Sequence, residues 1–195
     1  MQAESFLFFM FDYPIFIYKL ISMLADKDFH TRVAAGKSKE AQIIDILRDK
    51  YKMDIVPANE GEDKHDKIDA WLTINGKKMA VQIKFREEGK TDIIFEIVKD
   101  LDKNILGRDL IGKADYYLVV DSFGEGTMID AALIKSMAEQ VRKALMPVFH
   151  RKNIWGTQDY QVHITVDKSS GNRKMMMFVN PNKFKAIGKY KFDIR

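Results

Sequence analysis

The sequence predicts an α/β domain, a central mixed β-sheet flanked by helices. Three observations predict it: a helical stripe before residue 51, an alternating hairpin over 69–84, and a second run of strand and helix patterns over 92–179. The 195 residues suffice for one domain with a sizeable core. A hydrophobic share of 46% and a charged share of 31% describe a folded globular chain, not a disordered one. Cysteine is absent, which excludes disulfides, thiolate metal sites and cysteine nucleophiles.

Residues 1–24 are apolar in composition, with Phe6-Leu7-Phe8-Phe9-Met10-Phe11 and Ile15-Phe16-Ile17 broken by Asp12, Pro14 and Lys19. A membrane span needs about 20 mostly uncharged residues, so no stable membrane association is expected. A secretory signal needs early positive charge, and here the early charge is Glu4. Two readings stay open: a helix packing on the domain or a partner, or an extension ahead of a start at Met23. The rest, 25–195, reads as one domain.

Ser38 reads as the N-cap of a helix running to about Tyr51. Ile43, Ile44, Leu47 and Tyr51 form its buried stripe, and Glu40 falls on the same side. A carboxylate buried there needs a metal or a cation. A first-turn glutamate also favours the helix dipole by itself.

Met53–Val56 reads as a short strand and Asn59–His65 as an acidic loop. Asn75-Gly76 then marks a hairpin tip between two strand-like runs. That tip sets Ile74 against Lys77, Trp71 against Ala80 and Asp69 against Gln82. Alternation puts Asp69, Gln82 and Lys84 on one face, while Val81, Ile83 and Phe85 point into a core. Asp66 competes with Asp69, with the opposite strand parity.

A turn is expected at Glu87–Lys90, then a strand over Asp92–Val98 with Ile93, Phe95 and Ile97 on one face. Lys99–Ile111 reads as irregular or a short helix, Tyr116–Val120 as a buried strand. Met128–Leu145 reads as a helix, with Ile129, Leu133, Met137, Val141 and Leu145 at helical spacing and Pro147 closing it. Gln161–Val166 and Met175–Val179 read as strands joined through Ser169-Ser170-Gly171-Asn172.

The Asp69 and Gln82-Ile83-Lys84 pattern resembles the active-site hairpin of the PD-(D/E)XK nuclease superfamily, over roughly residues 37–122. There an Asp opens one strand and the next carries Glu-X-Lys or, less often, Gln-X-Lys. The resemblance implies a restriction-endonuclease-like core and a metal-dependent endonuclease hydrolysing DNA phosphodiester bonds. Its site would comprise Glu40, Asp69, Gln82 and Lys84. Mg²⁺ or Mn²⁺ would be held by Asp69, Gln82 and the Ile83 carbonyl, since hard cations take oxygen ligands. Gln82 offers a carbonyl oxygen but no charge. The alternative is a nuclease fold that binds nucleic acid without cutting. The Gln-X-Lys variant and small size suit a phage-borne, homing or resolvase-like enzyme acting in the cytoplasm.

Net charge is +4, but 151–195 carry ten basic and three acidic residues. Lys183, Lys185, Lys189 and Lys191 in that tail, with Arg86 beside the hairpin, are the expected nucleic-acid contacts. A lysine-rich tail is also simply a well-solvated one. Gly107-Arg108-Asp109 and Lys113 add charge near the expected cleft. Assembly with further copies of the chain stays open.

Overall fold

The computed structural model describes residues 31, 34–86, 92–157 and 159–194. The apolar stretch 1–24 and the expected turn at 87–90 lie outside the described residues. The chain divides into two compact units, Met1–Gln42 and Ile43–Arg195. Among the described residues, no helix is long and apolar enough to cross a membrane.

Helix α1 covers residues 34–51. It begins before Ser38, which is therefore an exposed interior residue and not the cap. Ala34 and Ala35, both strong helix formers, carry the turn further back. In the larger unit, Ile43, Ile44 and Leu47 are buried as the spacing predicts. They pack with Ile55, Leu72, Val81, Ile83, Leu118 and Val120. Truncating Leu47 to Ala would cost about 2–5 kcal/mol at such a site.

The strands fall into two sheets. One has six strands: β1 (Asp54–Pro57), β2 (Ala70–Ile74), β3 (Lys77–Phe85), β6 (Tyr116–Val120), β7 (Glu125–Asp130) and β11 (Tyr190–Asp193), in that spatial order. It is mixed, because β3 and β6 run parallel while every other neighbouring pair is antiparallel. The other sheet is antiparallel, in the order β5 (Ile105–Leu106), β4 (Ile93–Asp100), β10 (Arg173–Val179), β9 (Tyr160–Val166), β8 (Ile154–Gly156). The α/β class with a mixed sheet is thus present, but the strands expected near 92–98, 161–166 and 175–179 form a sheet of their own.

A second core joins the two sheets. Phe95, Ile97, Val162, Met175 and Met177 pack with Tyr117, Val119 and Ile129 of the mixed sheet. Helix α3 (Ala131–Leu145) adds Ile134, Ala138 and Val141, and α4 (Pro181–Ile187) adds Phe184.

The helix expected over 128–145 begins three residues later. Met128 and Ile129 are strand residues opposite Leu118 and Tyr117. Asp130 then caps α3, its side chain accepting the Ala132 amide at 2.9 Å. The buried stripe is Ala131, Ile134, Ala138 and Val141, while Leu133 is 51% exposed. The segment expected to be irregular or a short helix holds a turn, β5 and the four-residue helix α2 (Arg108–Ile111). Gly107 passes so close to β4 that a Cβ there would stand 2.0 Å from the Glu96 carbonyl oxygen.

Candidate active site

The hairpin pairs Ile74 with Lys77, Trp71 with Ala80 and Ala70 with Val81. Asn75 and Gly76 both take positive φ, 52° and 75°, the turn that matches strand twist. One step beyond β2, Asp69 stands opposite Gln82. Its amide donates to the Val81 carbonyl at 2.9 Å. Its carboxylate Oδ2 accepts the Ile83 amide at 2.6 Å, so a side chain replaces the next rung of the ladder.

The approach to Asp69 is braced. Glu62 opens a short π-helical turn, Glu62–Asp66, that ends at Lys67 in the left-handed region, φ 59°. Glu62 and Asn59 exchange side-chain and backbone bonds at 2.9 and 3.0 Å. The Trp71 indole donates to Glu62 at 3.0 Å, and Lys78 lies over the indole ring at 4.5 Å.

Burial pushes the Asp69 carboxyl up to about 6, and the negative charge of Asp63 pushes the same way. The Ile83 amide pulls it down most, followed by Lys84 and Arg108. Gln82 is 7% exposed, and its Oε1 is buried without a hydrogen-bond partner. Ile83 directs its side chain into the core on the α1 side. Only its main chain therefore reaches the site.

In the parallel pairing, Gln82 lies beside Tyr117 and Lys84 beside Val119. The Lys84 ammonium stands 2.6 Å from Asp109 Oδ1, and these side chains are 11% and 4% exposed. The Phe95 ring lies 5.4 Å from the same nitrogen. Asp109 is held twice more. Its Oδ2 accepts the Glu96 amide at 2.7 Å, and its carbonyl accepts the Tyr117 hydroxyl at 2.9 Å. Burial, reinforced by the Asp109 charge, raises the Tyr117 hydroxyl pKa and keeps it a donor.

Asp109 is the site residue that sequence reasoning passed over, counted there only as charge near the cleft. A local signal for it is the glycine before Arg108, which lets α2 lie against β4. The lysine it meets is 25 positions away, and no periodicity reports that.

The other expected residues have partners or places of their own. Glu40 is half-buried on α1, in the unit Met1–Gln42. Asp66 pairs with Lys113 at 2.8 Å. Arg86 donates its Nε–H to the Asp92 carbonyl and its amide to Val120 at 3.2 Å. Lys183 pairs with Asp159 at 2.7 Å, Lys189 with Asp130 at 3.6 Å, and Lys185 with both Asp121 and Glu125. Lys191 is exposed on β11.

The oxygen donors fit a hard cation in part. Asp69 supplies charge, and Gln82 supplies a buried acceptor that has no protein partner. Among the described residues, no three His, Asp or Glu side chains form a closed cage. Mg²⁺ sites commonly have only one or two carboxylates, with water and substrate phosphate completing the shell. Comparison of the chain with family models, with curated proteins and with solved structures gives no match.

Proposed function

We propose that the chain is a metal-dependent endonuclease that hydrolyses DNA phosphodiester bonds on a restriction-endonuclease-like core. The observation that carries this reading is the half-buried Asp69 standing opposite Gln82, whose buried carbonyl oxygen has no partner, with Lys84 two residues further along the same face. Its place in the sheet supports it as well. Lys84 lies near the carboxyl end of β3, beside the carboxyl end of parallel β6, where open α/β sheets bind ligands.

Asp69, Gln82 and the Ile83 carbonyl would hold Mg²⁺ or Mn²⁺. When bound, the ion supplies Lewis acidity at the scissile phosphate. Asp69 must first lose its proton, which its raised pKa favours only above about pH 6. Lys84 keeps its ammonium directed by Asp109 and steadies negative charge as it develops. In this reading the protein acts on DNA in the cytoplasm.

A second reading has its own support. Gln82 brings no charge, and Lys84 is already paired with a buried carboxylate. Both suit a domain that grips DNA without cutting it. Incubation of the purified chain with supercoiled plasmid and Mg²⁺ or Mn²⁺ separates the two. Nicking or linearisation that disappears in Asp69→Asn and Lys84→Ala supports hydrolysis. Plasmid that is retarded but intact supports the binding module.

A further inference from the structure

Most of the cations around this site are already engaged. Lys84 is paired with Asp109 at 2.6 Å, Lys113 with Asp66 at 2.8 Å, and Arg86 is tied to the Asp92 carbonyl. A group that is neutralised by a protein carboxylate attracts a phosphate weakly. Arg108 differs. Its side chain is exposed, and among the described residues its guanidinium makes no ion pair or hydrogen bond.

Its position is nonetheless defined by its backbone. The Arg108 amide donates to Glu96 Oε1 at 3.2 Å. Gly107, one residue earlier, donates to the Ile97 carbonyl at 2.7 Å. Asp109, one residue later, holds Lys84. The root of Arg108 is thus fixed beside the site while its head stays in solvent. The Tyr117 hydroxyl, donating to the Asp109 carbonyl at 2.9 Å from the strand position beside Gln82, ties this turn of chain to the site as well. Glu96, whose carboxylate accepts the Arg108 amide, also lies 3.6 Å from Lys174.

We infer that Arg108 is the phosphate-binding residue of the site, contacting a phosphodiester of the nucleic-acid backbone next to the Asp69–Gln82–Lys84 face. This rests on the nuclease reading for its substrate class. A guanidinium suits the role because its planar fork meets two phosphate oxygens at once and stays charged at any working pH. In this division of labour, Lys84 is the buried, directed charge and Arg108 the one that captures substrate.

The test uses the full chain with Arg108→Ala, Arg108→Lys and Lys113→Ala. Binding of a fluorescent 20-base-pair duplex is measured in EDTA between about 50 and 200 mM salt, so that no cleavage occurs. Arg108→Ala is expected to lower the log–log salt slope by about 0.9, the loss of one phosphate contact to duplex DNA. Arg108→Lys should keep the slope but bind several-fold more weakly, because a point charge replaces the fork. Lys113→Ala, which removes an already paired cation, should change the slope less. Cleavage with Mg²⁺ should fall about 10- to 100-fold in Arg108→Ala. Melting curves check folding, and Arg108→Gln replaces Arg108→Ala if alanine destabilises α2. An unchanged slope in a folded variant overturns the inference. If the wild type never cuts but the slope still falls, the phosphate contact stands and hydrolysis fails. If the wild type cuts and Arg108→Ala matches it in slope and rate, hydrolysis stands and the Arg108 assignment fails.

Discussion

Lys84 and Asp109 meet at 2.6 Å with both side chains nearly out of solvent. Removing one partner from such a pair leaves the other charge buried alone. Asp109→Asn should therefore cost about 3–5 kcal/mol of stability. Replacing both, as Lys84→Met with Asp109→Asn, should recover most of that loss while abolishing any cleavage, since the asparagine oxygen still accepts the Glu96 amide. Urea unfolding of the single and double variants checks it. Additive losses would mean that the two side chains do not act as a pair.

The Asp69 carboxyl, raised to about 6, sets a pH dependence of definite sign. Between its ordinary value near 4 and about 6, the folded chain holds this proton more tightly than the unfolded chain does. Stability therefore falls as pH rises through that window and levels off above it, by up to about 3 kcal/mol from this group. Asp69→Asn should flatten that contribution. Denaturant midpoints at pH 4.5 and 7 for the two proteins measure it. A wild-type profile that rises by the amount Asp69→Asn rises would remove the effect. Stabilisation by added Mg²⁺ should likewise appear only as pH passes about 6.

Gln82 offers a cleaner test of the metal. Without metal, Gln82→Leu removes a buried acceptor that has no partner, so the variant should equal or exceed the wild type in stability by about 1–2 kcal/mol. With Mg²⁺ it should lose the stabilisation that the wild type gains. Gln82→Glu should be the least stable without metal, through repulsion with Asp69, and should respond at the lowest Mg²⁺. Thermal melts across a Mg²⁺ series distinguish the three. Identical metal responses would place residue 82 outside the metal shell.

Gly107 is a packing test of the same site. A methyl group at that position would stand 2.0 Å from the Glu96 carbonyl oxygen, a backbone atom that cannot swing away. Gly107→Ala should push α2 off β4 and cost about 1–3 kcal/mol or more. Asp109 would move with α2, so Lys84 should become accessible to acylating reagents in the folded variant. Unchanged melting and an unchanged lysine labelling pattern would show that α2 tolerates the shift.

The hairpin was legible because its cause is local. Asn75-Gly76 sets the turn, the turn sets the register, and the register sets Asp69 against Gln82. The α1 stripe was legible for the same reason. The start of α3 was not, because Ile129 shares helical spacing with later residues, and only the Asp130 cap distinguishes strand from helix. The two-sheet arrangement was hidden, since alternation reports a buried face but not which sheet a strand joins. The tail lysines were read by charge alone. Asp121 and Asp130, which meet Lys185 and Lys189, come from before the tail, and Asp159, which meets Lys183, stands 24 positions before it. Asp109 was missed on the same ground: a pair distant in the chain leaves no local mark.

The pairing of β4 with β10 bears on how the site comes into being during synthesis. Asp69, Gln82, Lys84, Arg108 and Asp109 have all been made once residue 109 is added. Phe95 and Glu96 lie on β4, whose long partner strand is Arg173–Val179. Until that strand arrives, β4 has only the two-residue β5 beside it, and Asp109 has no settled edge to dock on. A nascent chain halted before residue 173 would therefore contain every side chain of the candidate site without the strand that pairs along β4. Any cutting activity would switch on only after Arg173–Val179 has been made and has paired with β4.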